Sequence, residues 1–351
     1  MHKNPYELLP NSAFWRSGVA EQSPFEIQDL YKKKWTIETQ FNIATAGSCF
    51  AQHIARNLRK NGYKVLDKEP PPPCLSIDEA KKHGFSIYSG RFGNIYTVAQ
   101  CLQLAKEAFG EISFDDVSLA KGDCFVDKFR PNVEPLGFKT QQEVVESRRE
   151  HLQKVKAMFL ELDVFIFTLG LTEAWIDNDQ DAVLPMVPGT LAGEFYPNRY
   201  TFKNYRHSEI LSQFLELDKL LKKHRKKPDL KYILTVSPVP LTATASGRHV
   251  LQASTYSKSV LRAVCGELAA TYEHIDYFPS YELITNVLTK SVYYEKNLRS
   301  VRPHGVEIVM KHFFKEHPPA NCNASSPRQA ITKEVDEEAV ICEEEMLEAN
   351  L

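Results

Sequence analysis

Ser48 and Cys49, two side chains able to attack a carbonyl carbon, stand next to each other in the run Ala44-Thr45-Ala46-Gly47-Ser48-Cys49-Phe50-Ala51. Upstream, Phe41-Asn42-Ile43-Ala44 with Ala46 reads as a short buried strand. Gly47 permits a sharp turn, and Ile54, Leu58 and Val65 follow at spacings suited to a packed helix and a further strand. A hydroxyl or thiol at such a corner meets the first N–H groups of the helix, which favour negative charge. Those amides can depress a thiol pKa or hold an oxyanion. In the plainer alternative, Ser48 caps the helix and Cys49 packs as a small hydrophobe.

The elements that would position this turn follow from the apolar patterns. Val164-Phe165-Ile166-Phe167-Thr168-Leu169-Gly170 and Tyr232-Ile233-Leu234-Thr235-Val236-Ser237-Pro238 are apolar throughout, as strands covered on both faces must be. His274 to Pro279 reads as another strand. Helical spacing runs over residues 98–109, 141–162, 208–224, 256–272 and 305–314. Strands alternating with helices predict an α/β fold with a parallel sheet and helices on both faces. Ligands in such sheets collect outside the carboxyl ends of the strands. Three motifs fall at those ends: Gly47-Ser48-Cys49, Gly170-Leu171-Thr172-Glu173-Ala174-Trp175 and Ser237-Pro238-Val239-Pro240-Leu241. A fourth, Arg91-Phe92-Gly93-Asn94-Ile95-Tyr96-Thr97, places a glycine and an amide before a helix, a chemistry suited to donating N–H groups to an anion.

With 351 residues, 43% of them hydrophobic, the chain can bury a full core. Residues 1–35 read as an aromatic-bearing arm packed on the core, residues 36–315 as the α/β domain, and 316–351 as an acidic tail too polar to fold on its own. A formal charge of −2 argues against a nucleic-acid footprint spread over the protein. The densest basic run, Lys222 to Lys227, sits where a helix ends and complements its dipole. Four consecutive prolines, Pro70 to Pro73, make a loop, with a polyproline ligand as the alternative.

Seven cysteines without CxxC spacing fit reduced thiols in a cytoplasm. No apolar run approaches the ~20 residues a membrane span needs. Neither a histidine pair at i, i+4 nor a phosphate-binding G-x-x-x-x-G-K-[ST] loop occurs, so no metal and no cofactor is expected.

Taken together, Gly47-Ser48-Cys49-Phe50-Ala51, the Arg91 to Thr97 segment, Phe167 to Trp175, Val187-Pro188-Gly189-Thr190, Val236 to Leu241 and Tyr277-Phe278-Pro279-Ser280-Tyr281-Glu282 resemble the GSCFA family. That family looks like a branch of the SGNH (GDSL) hydrolases, and the resemblance covers roughly residues 35–315. It implies a three-layer, flavodoxin-like fold and the hydrolysis of an acyl ester, carried on a small molecule or a glycan. O-acyl transfer through the same nucleophile is the nearest alternative.

Carried over by position, the nucleophile is Cys49, two residues after the glycine; carried over by residue type, it is Ser48. The reading leans to Cys49, because a thiol at a helix N-terminus needs less activation. Gly93 and Asn94 match the second oxyanion element, and Thr172 stands where the third carries an amide. Glu173 is a candidate to orient a base or bind substrate hydroxyls, with a helix cap as the alternative. Arg130 is a candidate to hold an anionic substrate, with an ion pair to Asp127 as the alternative.

The chain departs from the family pattern near its end. The expected Asp-x-x-His reads Asn297-Leu298-Arg299-Ser300, or Arg299-Ser300-Val301-Arg302 when matched on the following proline. Neither register keeps a proton acceptor. His304 or His249 must then serve as base, or the protein is a silent member that keeps the pocket and binds a glycan or acyl ligand.

Overall fold

The computed structural model describes residues 4–227, 229–319 and 346–347, so nearly all of the predicted acidic tail lies outside the described residues. In chain order the elements are β1 (Ile43–Gly47), α1 (Ala51–Lys60), α2 (Ile77–Lys82), α3 (Val98–Phe109), β2 (Ser118–Lys121), β3 (Cys124–Asp127) and α4 (Gln141–Glu161). There follow β4 (Val164–Leu169), β5 (Glu173–Asp177), β6 (Ala182–Leu184), β7 (Tyr200–Asn204), α5 (His207–His224), β8 (Lys231–Val236), α6 (Val250–Thr271), β9 (Ile275–Tyr277), α7 (Ser280–Thr285) and α8 (Pro303–Glu316).

The central sheet has the order β1-β4-β8-β9, all parallel. An isolated parallel bridge from Val65 to Ile43 extends it on the far side of β1. Counting that bridge as a vestigial second strand gives the order 2-1-3-4-5 of a flavodoxin-like sheet. Because successive strand residues point to opposite faces, both faces must be apolar. Ala44, Ala46, Phe165, Phe167, Tyr232 and Leu234 pack under α3, α4, α5 and α6. Ile43, Val164, Ile166 and Ile233 pack under α1, α7, α8 and the lead-in. This is the three-layer α/β architecture that the strand pattern and the resemblance imply.

The lead-in is fastened by polar contacts as well as by burial of Tyr31 and Ile37. Tyr31 Oη donates to Asp276 Oδ2 at 3.0 Å and lies 2.9 Å from His317 Nε2. Lys33 pairs with Glu316 at 3.7 Å. The basic run at the end of α5 is largely neutralised by pairs of Lys222 with Asp218, Lys223 with Glu111 and Lys227 with Asp163.

Residues 173–204 differ from the sequence reading. There β5, β6 and β7 form a three-stranded antiparallel sheet in the order β6-β5-β7, which the apolar pattern did not show. β2 and β3 add a hairpin that the pattern did not show. These strands are incompletely buried and only three to five residues long, so they carry no apolar run long enough to stand out. Helix α6 also starts six residues before the predicted one, where His249 caps it by accepting the Leu251 N–H at 3.1 Å.

Two buried ion networks hold these additions to the core. Lys128 Nζ lies 2.7 Å from Asp116 and 3.1 Å from Asp177, and Arg199 bridges the same two carboxylates. The larger network, centred on Asp127, Arg130 and Arg148, lies behind the Gly93-Asn94 turn.

Candidate functional site at the carboxyl edge of the sheet

The direction in which strands are added reverses between β1 and β4, so the crevice of this sheet opens where Gly47 and Leu169 end. Glycine is demanded at Gly47 by its backbone, with φ +143°; a Cβ there would also lie 2.4 Å from the Thr168 carbonyl. The Ser48 N–H donates to that carbonyl at 3.2 Å. The chain then enters α1 through a tight first turn, Ala51, Gln52 and His53 donating to the carbonyls of Ser48, Cys49 and Phe50. Ser48 and Cys49 are thus placed at a helix N-terminus, and they are 4% and 5% exposed.

The loop before α3 closes over this turn. Ile95 N–H donates to the Gly47 carbonyl at 2.9 Å, and Tyr88 Oη donates to the Ser48 carbonyl at 3.1 Å. Tyr88 also meets Asn94 Oδ1 at 2.5 Å, while Asn94 Nδ2 donates to Tyr96 Oη at 3.2 Å. Asn94 and Ile95 therefore share a hydrogen-bonded shell with the Ser48 turn, Gly93 preceding them in the chain, but the Asn94 side chain is engaged in holding that shell together.

From the β4 side, Gly170 makes the closest approach. A Cβ on it would lie 2.8 Å from Ser48 Cβ and 3.4 Å from Ser48 Oγ. The Gly170 and Leu171 N–H groups both donate to the Tyr96 carbonyl. Thr172 is fully buried, its N–H donating to Ser257 Oγ at 3.0 Å. Glu173 accepts from Thr244 Oγ1 at 2.8 Å, and burial raises its pKa above the ordinary carboxylate value. Glu173 thus begins β5 and caps no helix.

Sequence reasoning missed the part played by α6. Ser254, Ser257 and Lys258, spaced i, i+3 and i+4 on one buried face, each bond a main-chain group at the carboxyl edge. Ser254 Oγ accepts from Leu241 N–H at 3.3 Å, Ser257 Oγ from Thr172, and Lys258 Nζ donates to the Gly170 carbonyl at 2.7 Å. The signal was present: a lysine and two serines at helical spacing among apolar residues of one helix. Above them Tyr96, Leu171, Leu241 and Ala253 form an apolar cluster over the strand ends.

The candidate bases stand elsewhere. His304 is the second residue of α8 and half exposed; its contacts are Glu307 at 3.3 Å and the rings of Phe25 and Tyr293. His249 is occupied as the cap of α6. Ser48 Oγ is buried and has no hydrogen-bond partner among the described residues, so neither histidine bonds it. His53, a turn into α1, is a third imidazole near this corner; burial, with Arg56 nearby, lowers its pKa to about 4, and its ring packs on Phe50.

The late loop is fixed by Asn297, whose Oδ1 accepts the N–H groups of Arg299 and Ser300 at 3.0 Å each. Tyr294 Oη donates to the Pro238 carbonyl, and Arg299 Nη2 reaches the Pro240 carbonyl at 3.5 Å. Arg299 thus brings a guanidinium to the loop that follows β8. Arg302 turns back to Glu295 and the Val292 carbonyl.

Arg130 is not at this edge. It belongs to a buried network in which Asp127 accepts Arg130 Nε at 2.7 Å and Arg148 Nη1 at 3.1 Å, and Arg148 also pairs with Glu107. Glu69 completes it, meeting His151 Nδ1 at 2.8 Å and the Arg91 N–H at 2.6 Å. Among the described residues no cluster of His, Cys, Asp and Glu could hold a metal ion, and no helix is long and apolar enough to cross a membrane.

The model of the GSCFA family matches residues 42–313, a span holding every element from β1 to most of α8. No curated protein matches the chain.

Proposed function

For a chain that belongs to the GSCFA family, we propose a role in binding an acyl group, carried on a small molecule or a glycan, at the carboxyl edge of the sheet without hydrolysing it. One observation carries this reading: the buried Ser48 hydroxyl meets no proton acceptor among the described residues, while the late loop supplies Asn297 or, matched on the following proline, Arg299 where the resemblance implies a carboxylate. General-base assistance commonly contributes about 10²–10⁴-fold, so an alcohol without it is a poor nucleophile.

What remains at the edge suits recognition. The N-terminus of α1 favours a carbonyl oxygen or an anion. The buried Tyr96, Leu171, Leu241 and Ala253 cluster makes the wall beside the strand ends apolar, the lining an acyl chain requires. Arg299 adds a cation at the rim, fit for a carboxylate or another oxygen-rich head group.

Incubation with a fluorophosphonate probe and with p-nitrophenyl acetate separates the classes. Wild-type protein is expected to show neither labelling nor turnover beyond that of the Ser48→Ala and Cys49→Ala variants. Sodium octanoate is expected to shift the amide resonances of residues 47–50, 94 and 170–173. Turnover lost in either variant would return the site to an esterase, and turnover seen only with an acyl-coenzyme A donor would make it a transferase. Absence of octanoate shifts at those residues would remove the binding reading.

A further inference from the structure

Behind the Gly93-Asn94 turn lies a cavity of about 20 Å³ lined by Phe92, Ile95, Gln100, Gln103, Arg130 and His151, with other residues of α3 and α4. One water needs at least roughly 10–15 Å³, so the space is on the scale of a water molecule and not of an organic ligand. Its polar lining sets it apart from the dry voids of an apolar core. Net charge excludes an anion: Glu69, Glu107 and Asp127 outnumber Arg130 and Arg148.

The protonation of His151 can be worked out from its neighbours. Burial opposes ionisation of Glu69, but His151, Arg130 and the Arg91 N–H together hold its pKa down at about 2. Glu69 is therefore a carboxylate at neutral pH and can only accept. His151 Nδ1, 2.8 Å away, must carry the proton. Burial, with Arg130 next, lowers the His151 pKa to about 4, so the ring is neutral and Nε2 presents a lone pair. Nε2 is fully buried, belongs to a residue lining the cavity, and accepts from no described residue.

We propose that this cavity is the binding site of one structural water, which donates to His151 Nε2 and bridges to the carboxamides of α3. Gln100 clamps the turn by accepting the Tyr96 N–H at 3.0 Å and donating to the Asn94 carbonyl at 2.9 Å. Gln103 clamps β6 in the same way through Val183. Each carboxamide retains one N–H and one lone pair for the water. The water joins α4, through Glu69 and His151, to the glutamines that hold the Gly93-Asn94 turn and the small sheet. This inference is independent of whether the carboxyl edge binds or hydrolyses its ligand.

The test uses the full-length protein at neutral pH. Long-range ¹H–¹⁵N correlation of labelled histidine is expected to show His151 as the Nδ1–H tautomer; an Nε2–H tautomer would overturn the proposal. Oxygen-17 relaxation dispersion is expected to show one fewer long-lived water in a folded His151→Phe variant, and an unchanged number would also overturn it. Should that variant not fold, a high-resolution crystal structure of the wild type decides. Density within hydrogen-bonding distance of Nε2 and of a Gln100 or Gln103 amide supports the site, and a protein donor on Nε2 removes it.

Discussion

The corner at the end of β1 and the ion network beneath β3 treat buried polar groups in opposite ways. In the network, Asp127 takes two guanidinium groups and the Phe129 N–H, Glu107 takes both arms of Arg148, and Glu69 takes an imidazole and a main-chain amide. Around the corner, the hydroxyls of Thr45, Ser48, Thr168 and Thr172 are buried without a partner among the described residues. Strongly perturbed pKa values often mark a functional site. Here Glu69 and His151 are displaced because they clamp the fold, while the corner is marked by buried hydroxyls without a partner among the described residues. Electrostatic strength in this chain is invested in holding the Gly93-Asn94 turn from behind.

The largest expected effect breaks the network. Asp127→Ala strands two buried guanidinium groups and is expected to cost about 3–5 kcal/mol, since removing one partner leaves buried charge uncompensated. Urea denaturation measures it as a fall in midpoint at unchanged slope. A loss below about 1 kcal/mol, typical of exposed pairs, would mean that the network is not a pin and that the contrast is false.

Acid sharpens the same contrast. The His151 pKa is lowered in the fold to about 4 from an ordinary value near 6.5, by burial first and Arg130 second, with Glu69 opposing and Arg148 adding to the fall. The unfolded chain therefore binds more protons between these values. Stability is fully present above pH ~6.5 and is lost as pH falls toward 4, at about 1.4 kcal/mol per pH unit for each such group. His53 and His317 shift in the same direction. Glu69, depressed to about 2, extends the loss from pH ~4.5 downward. A His151→Gln variant is expected to flatten the slope between pH 6.5 and 4, measured by denaturation at a series of pH values; an unchanged slope would show that His151 titrates normally.

How far the sequence reveals these two regions follows from how each is built. The corner is local: a strand, a glycine and a helix within twenty residues, so Gly47, Ser48 and Cys49 were legible with the strands β1, β4 and β8. The network joins residues from Glu69 to His151 through tertiary contact, and only Asp127 with Arg130, three apart, showed as a pair. Short, half-buried strands such as β5 and β7 carry too few apolar residues to outvote the loop signals around them. Ser257 and Lys258 were read as helix positions, since nothing in one dimension says that Thr172 and Gly170 lie opposite them.

Smaller effects test the corner itself. Gly170→Ala would place a methyl 2.8 Å from Ser48 Cβ, and overpacking of this kind costs typically about 1–3 kcal/mol. Thermal melting of the variant measures it, and a neutral result would mean that the β4 loop yields and does not fix Ser48.

Ser48→Ala carries the smallest expected change and the sharpest meaning. A buried hydroxyl without a partner contributes no hydrogen bond to the fold, and its removal abolishes a desolvation penalty. The variant is therefore expected to lie within about 1 kcal/mol of wild type, or above it, in the same urea titration. A polar group kept in a core at a net cost calls for a reason, and satisfaction by a bound ligand is one such reason. A Ser48→Ala protein that gains stability while losing the octanoate shifts would tie that cost to binding. A loss of 2 kcal/mol or more would reveal an acceptor for Ser48 inside the fold, and with it a candidate base.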